Sequence, residues 1–284
     1  MGRTAIGWTD DTWNPIRGCS RMSEGCRHCY AEQQAARIVR MGRGKPTPYD
    51  GLVKLVGGEP RWTGVVHLVD ERIADPLRLT RPRRIFVNSM SDLFHESIND
   101  QQIALVFGVM VLAAQHTYQV LTKRANRMRT WFALWSVEDC IEVAARYVGP
   151  DGSRLPGPRA WNAPPSEEWR DVEAWPVPWI WPGVSVEDRK SGVPRIDELR
   201  RVPANVRMLS CEPLLEDLGE LDLTGIGWLI DGCESGPGAR PAEVAWFASL
   251  EEQCRSAGVP YFHKQELIDG KLAHDFPGRQ EFPR

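Results

Sequence analysis

Residues 84–92 read RIFVNSMSD, a short β-branched and aromatic run that breaks off into Asn88, Ser89, Ser91 and Asp92. The same grammar recurs along the chain. GVVHLV (64–69) gives way to Asp70 and Glu71, TYQVLTKR (117–124) ends in Thr122, Lys123 and Arg124, and WIWPGVSVED (179–188) ends in Ser185, Glu187 and Asp188. NVRMLSCEP (205–213) ends in Ser210, Cys211 and Glu212, and GWLIDGCESG (227–236) in Asp231, Cys233, Glu234 and Ser235. VPYFHKQE (259–266) ends in His263, Lys264 and Gln265, and a further strand near 13–18 makes eight candidates.

Helical patterns separate these runs. NDQQIALVFGVMVLAAQ (99–115) opens on capping residues and carries apolar positions at helical spacing, as do RIDELRRV (195–202) and PAEVAWFASLEEQCRSAG (241–258). Strands alternating with helices imply parallel βαβ units, so the expected fold class is α/β: a TIM-barrel-like (β/α)8 or partial barrel. In such barrels the site lies at the carboxyl ends of the strands, which gives the polar endings a shared destination. Residues 149–178, rich in Pro, Gly and Trp, break the rhythm and read as an insertion in which Trp161, Trp169 and Trp175 favour packing. The expected organisation is therefore one domain over residues 1–270 with that insertion, followed by a polar tail over 271–284.

Composition narrows the class. With 35 Lys+Arg against 38 Asp+Glu, the net charge of −3 does not suggest a general polyanion-binding surface. Basic runs are local: Arg78, Arg81, Arg83 and Arg84, then Lys123, Arg124, Arg127 and Arg129. No apolar stretch approaches the ~20 residues of a bilayer span, and the amino terminus lacks the apolar centre of a signal peptide. A cytoplasmic protein without membrane contact is expected, in which thiols stay reduced. Seven cysteines, three of them clustered, then indicate a metal site in preference to disulfides.

The cluster is GCSRMSEGCRHCYAE (18–32), with Cys19, Cys26 and Cys29 spaced C-x6-C-x2-C. A structural zinc site closes with four ligands, and here Cys211, Cys233 or His263 would have to supply the fourth from a distance. A 4Fe–4S cluster on three thiolates is the other candidate, since it leaves one iron open for a small molecule. Radical S-adenosylmethionine enzymes are built that way, with a cysteine loop following the first strand of an α/β barrel. Their usual spacing is C-x3-C-x2-C with an aromatic before the last cysteine. Here the second half matches, His28 holds the aromatic position, and the first gap is longer. Gly57, Gly58 and Glu59 spell that superfamily's Gly-Gly-Glu segment but precede a strand, so NSMSD and GCESG are better placed to meet a methionyl group.

Taken in order, WTDDTWNPIRGC…GCRHCYAE, FVNSMSDLFHE, QVLTKR, GVSVEDR, SCEPLLEDL, WLIDGCESGPGARP and FHKQE resemble an uncharacterised phage and bacterial family known for its three-cysteine motif. The resemblance spans nearly all of residues 4–266 and implies a TIM-barrel-like, radical-SAM-related fold without an established reaction. It departs at Gly7, Cys211 and Cys233, where Glu, Ala and Gly are expected. Cys19, Cys26 and Cys29 are the expected metal ligands. Asp92, Lys123 and Glu212 are the candidate catalytic groups, as carboxylates and a cation at one rim. Tyr30, Asn88, Ser89, Ser91, Ser185, Glu187, Glu234, Ser235 and Lys264 are the candidates for binding S-adenosylmethionine. The leading expectation is an iron–sulfur enzyme that uses S-adenosylmethionine and an electron donor on a nucleic acid or nucleotide, for modification or repair. A zinc- or carboxylate-dependent barrel hydrolase and a zinc-clamped nucleic-acid-binding accessory protein are the alternatives.

Overall fold

The computed structural model describes residues 1–148, 172–236, 238–268 and 271–283. The chain opens with β1 (Gly2–Arg3), β2 (Asp11–Trp13) and β3 (Ile16–Arg17), then α1 (Tyr30–Met41) and the hairpin of β4 (Val53–Val56) and β5 (Glu59–Trp62). Next come β6 (His67–Leu68), β7 (Arg84–Val87), α2 (Asp100–Leu112), β8 (Thr117–Thr122), α3 (Ala125–Leu134) and α4 (Val137–Val148). The second half runs β9 (Ile180–Ser185), α5 (Pro194–Arg200), β10 (Met208–Cys211), β11 (Trp228–Gly232), α6 (Val244–Ala257), β12 (Tyr261–Ile268) and β13 (Lys271–Ala273).

The central sheet has the order β1-β2-β7-β8-β9-β10-β11-β12-β13. From β2 to β12 every neighbouring pair is parallel. Only β1 and β13, at the edges, run antiparallel. The fold is mixed α/β around a large, mostly parallel sheet. One expected strand is absent from it. GVVHLV contributes only His67–Leu68, paired antiparallel with Ile16–Arg17 in a separate ribbon. Gly64 lies at φ +86° and Val65 is 54% exposed, while Val66 and Leu68 pack against the helix-side core and Val69 is buried, all from this separate ribbon.

Side chains alternate between two cores. One set, including Ile85, Val87, Tyr118, Val120, Leu209 and Leu229, packs toward the helices. The other, Phe86, Met208, Trp228, Ile230 and Phe262 around Trp8, packs on the opposite face. The Trp8 ring lies 4.7 Å from Phe86 and 6.4 Å from Trp228. Phe86 is on β7 and Trp228 on β11, four strand spacings or roughly 19 Å apart in a flat sheet. One indole reaches both only because the sheet curls around this inner face.

On the helix side, α2 starts with a capping box between Asn99 and Gln102 and is buried from Ile103 to Leu112. A β-carbon on its Gly108 would sit 2.1 Å from the Cys140 carbonyl oxygen of α4, so this glycine sets how closely the two helices pack. Of the insertion, Trp175 stacks edge-on against Phe107 and Phe132, while Trp161, Trp169 and all of 149–171 lie outside the described residues. The segment set apart as a polar tail returns to the sheet. Trp228 Nε1 donates to the Glu281 carbonyl at 2.9 Å, and the Arg84 guanidinium lies 4.0 Å over the Phe282 ring, at the amino-terminal end of the strands. Among the described residues no helix is long and apolar enough to cross a membrane.

Candidate functional site

The parallel strands β7 to β12 deliver their last residues to one cavity of about 540 Å³. From β7 come Asn88, Ser89, Ser91 and Asp92, from β8 Lys123 and Arg124, and from β9 Ser185. Ser210 and Glu212 follow from β10, Cys233, Glu234 and Ser235 from β11, and Lys264 and Gln265 from β12. Ser185, Ser210 and Lys264 are in register with the inner-face residues of their strands, as the period of two requires.

The cysteine loop closes one side of this cavity, which Cys19, Cys26 and Cys29 line together with Tyr30. Two glycines shape it. Gly18, at φ +90° and bridged to Ser91, has room for no side chain: a β-carbon would stand 2.1 Å from the Val65 carbonyl oxygen. Gly25 presses on Glu187, with a β-carbon position 2.6 Å from its Cγ. Cys29 then precedes the first turn of α1. All three thiols are free and partly exposed. Burial, and next the charge of Asp92, pushes the Cys19 thiol up to about 12, and burial also raises Cys29. Loading a metal here therefore releases protons. Among the described residues, no three His, Cys, Asp or Glu side chains converge closely enough to hold one metal ion.

Asn88 is the least satisfied group at the rim. It is 2% exposed, sits at φ +61°, and neither its Oδ1 nor its Nδ2 has a hydrogen-bond partner. A left-handed non-glycine residue with an unpaired buried amide costs a few kcal/mol, the kind of strain that accumulates at binding sites. Glu212 and Lys264 form a 2.8 Å ion pair on the cavity wall.

Other predicted site residues have their charges committed. Glu187 is fully buried beneath the cysteine loop and does not line the cavity. Burial pushes its carboxyl up, but Lys123 at 3.2 Å and Arg195 at 2.7 Å more than offset this and hold it at about 2. Ser23 of the loop donates to the same carboxylate. Lys123 is thereby taken. Asp92 accepts from Thr122 Oγ1, the Lys123 and Phe94 amides and Arg124 Nη1, all within 3.2 Å. Glu234 binds Arg240 at 2.5 Å and His28 Nδ1 at 2.8 Å; burial raises its carboxyl, but these partners bring it below the usual range. Ser89 is bonded to Asn14 and Ser91 to the Ile16 carbonyl, and the exposed Tyr30 donates to the Ser89 carbonyl.

The remote zinc-ligand candidates divide. Cys233 lines the cavity, but Cys211 is buried in the helix-side core. His263 faces the same way and is held by Asp231 at 2.7 Å, so neither reaches the loop. Gly57 and Gly58 form the exposed turn of the β4–β5 hairpin and touch nothing at the site. Sequence reasoning missed Arg195, Arg240 and the two shaping glycines. Arg195 and Arg240 carry no local signal, because pairing with Glu187 and Glu234, eight and six residues away, depends on how the intervening loops fold. Gly18 and Gly25 did carry one, each standing immediately before a cysteine.

The chain belongs to a family described as "Protein of unknown function (DUF5131)", which it matches over residues 3–273. No curated protein and no solved structure matches it.

Proposed function

We propose that the chain is a radical S-adenosylmethionine-type enzyme, its curled sheet the partial barrel of that class, acting on a nucleic acid or nucleotide. Cys19, Cys26 and Cys29 would hold a 4Fe–4S cluster. The observation that carries this reading is the shared cavity: three free thiols on one loop share it with the unpaired amide of Asn88 and polar ends from the parallel strands β7 to β12. The thiolates of a cubane each bind a different iron, so a cluster does not ask three sulfurs to converge on one point as zinc does. When bound, the cluster would supply single electrons, drawn from an external donor, to S-adenosylmethionine.

The chain's own residues would do the binding and positioning. Asn88 offers a donor and an acceptor to the methionyl amine and carboxylate, ending its unpaired state. Glu212 and Lys264, ion-paired with each other on the cavity wall, would handle protons there, and Ser185 and Ser235 would offer hydroxyls to the ribose. Asp92, Lys123, Glu187 and Glu234, with their charges committed, act by holding the loops in place. Anaerobic reconstitution with iron and sulfide tests the assignment. About four irons per chain, and an electron paramagnetic signal of the reduced protein that shifts on adding S-adenosylmethionine, are expected. One tightly bound zinc and no response to the cofactor would overturn it.

A further inference from the structure

Most of the arginines in the runs conspicuous in the sequence turn out to be occupied, the exposed Arg81 being an exception. Arg78 pairs with Asp75, Arg83 with Asp11, Arg84 with Asp10, Arg124 with Asp92 and Arg129 with Glu198. Exposed helices elsewhere also carry their own counterions, as Arg146 with Glu142 on α4, Arg200 with Asp197 on α5 and Arg255 with Glu252 on α6. The stretch from α1 into the hairpin differs. Arg37, Arg40, Arg43, Lys45 and Lys54 are all exposed and, among the described residues, pair with no carboxylate. Across residues 33–58 these five cations face one acid, Asp50, whose carboxylate is taken by Thr47. A helix that needed its arginines only for solubility would gain from i,i+3 or i,i+4 partners, which α4, α5 and α6 have and this one lacks.

Position gives the charge a direction. Tyr30 and Trp62 both line the cavity, so α1 starts at its mouth and β5 ends there. Tyr30, Gln33, Arg37 and Arg40 are spaced three, four and three residues apart, all exposed on one face of the helix. At 1.5 Å per residue, Arg37 and Arg40 stand roughly 10 and 15 Å from the mouth, the span of a few nucleotides of backbone. Tyr30, 50% exposed, is an aromatic surface at the entrance. The β4–β5 hairpin packs beside α1 and ends in Leu55 and Val56, 70% and 51% exposed at a Gly57–Gly58 turn. Apolar tips flanked by cations are the means by which proteins part stacked bases.

We infer that the α1–hairpin face is a duplex nucleic-acid interface: its five cations hold the phosphate backbone, and the Leu55–Val56 tip wedges between base pairs beside the cavity. This deepens the functional reading by naming the polymer, but it is measured without iron or cofactor, so the two fail separately.

The test is fluorescence anisotropy of a labelled 20-base-pair DNA duplex of mixed sequence, titrated with the iron-free full chain over a range of salt. With five phosphate contacts the affinity falls with salt at a logarithmic slope of roughly 4.5. R37A/R40A/R43A/K54A should weaken binding at least tenfold and reduce the slope to about 1, while R146A/R255A changes neither. L55S/V56S should abolish the fluorescence rise of a 2-aminopurine placed in the duplex. Unchanged binding by the fourfold variant, or equal loss in the control, overturns the inference. So does a wild-type chain that ignores the duplex but binds vesicles rich in anionic lipid through the same residues.

Discussion

Replacing Glu187 by Gln removes a charge that never touches the cavity, and its consequences follow from the structure. The carboxylate is fully buried between Lys123, Arg195 and the Ser23 hydroxyl. Its pKa is held at about 2 against an ordinary 4.5. With ~1.4 kcal/mol for each tenfold change in proton affinity, that interval is worth roughly 3 kcal/mol at neutral pH. Leaving two cations buried without their partner costs a similar amount, about 3–5 kcal/mol. Glu187→Gln should therefore lower stability at pH 7 by about 3 kcal/mol, or the melting temperature by roughly 5 °C for a chain of this length. The sign with pH is fixed by the depressed value. The contribution is fully present above 4.5 and fades as pH falls toward 2. The gap between wild type and variant should thus shrink to about 1 kcal/mol at pH 3. Urea unfolding of both proteins at pH 7 and pH 3 measures it. Equal stabilities at pH 7, or a gap that does not shrink in acid, would refute the account of Glu187 as an ionised clamp.

Three further outcomes are expected. Alanine at Cys19, Cys26 or Cys29 should each remove most reconstituted iron, whereas Cys140→Ala and Cys254→Ala, both buried on the helix side, should keep it by metal analysis. Asn88→Gly relieves a left-handed backbone and deletes an unpaired buried amide, so it should raise stability by about 1 kcal/mol while weakening S-adenosylmethionine at least tenfold by calorimetry. Gly25→Ala, whose new methyl would stand 2.6 Å from Glu187 Cγ, should cost about 1–3 kcal/mol and lower iron uptake while far-ultraviolet circular dichroism stays native.

The sheet was legible because its strands are apolar on both faces and stop abruptly. RIFV, TYQVLT and WLIDG carry that signature at their observed positions. GVVHLV carried it too and misled, because β-branched residues announce a strand without saying which sheet it joins. The composition of the cavity was legible for a related reason: the carboxyl end of a parallel strand is where its polar residues collect. What could not be read was which polar residues are spent on one another. Glu187 and Glu212 look alike in sequence, yet one lies under the loop between two cations and the other on the cavity wall. Arg195, which makes the difference, is eight residues from Glu187 on a helix whose orientation is set by tertiary packing.

That distinction also accounts for the long gap between the first two cysteines. Each residue from Ser20 to Gly25 has a contact of its own. Ser20 meets Arg124 and His95 at 2.9 Å, and Arg21 holds Glu32 of α1 at 2.5 Å. The Met22 amide donates to the Cys26 sulfur at 3.5 Å. Ser23 donates to Glu187, the Glu24 carbonyl accepts from Arg240 at 3.1 Å, and Gly25 rests on Glu187. Four of those partners, His95, Arg124, Glu187 and Arg240, come from segments following β7, β8, β9 and β11. A three-residue gap would have to hold its thiols by its own turn geometry. A six-residue gap is long enough to reach across the rim and be fixed by the sheet. The loop then has few independent conformations left to lose, so ordering the thiols costs less than its length suggests. On this argument the extra residues position the cysteines. Shortening the loop to match the commoner spacing should lose iron, even though every cysteine remains.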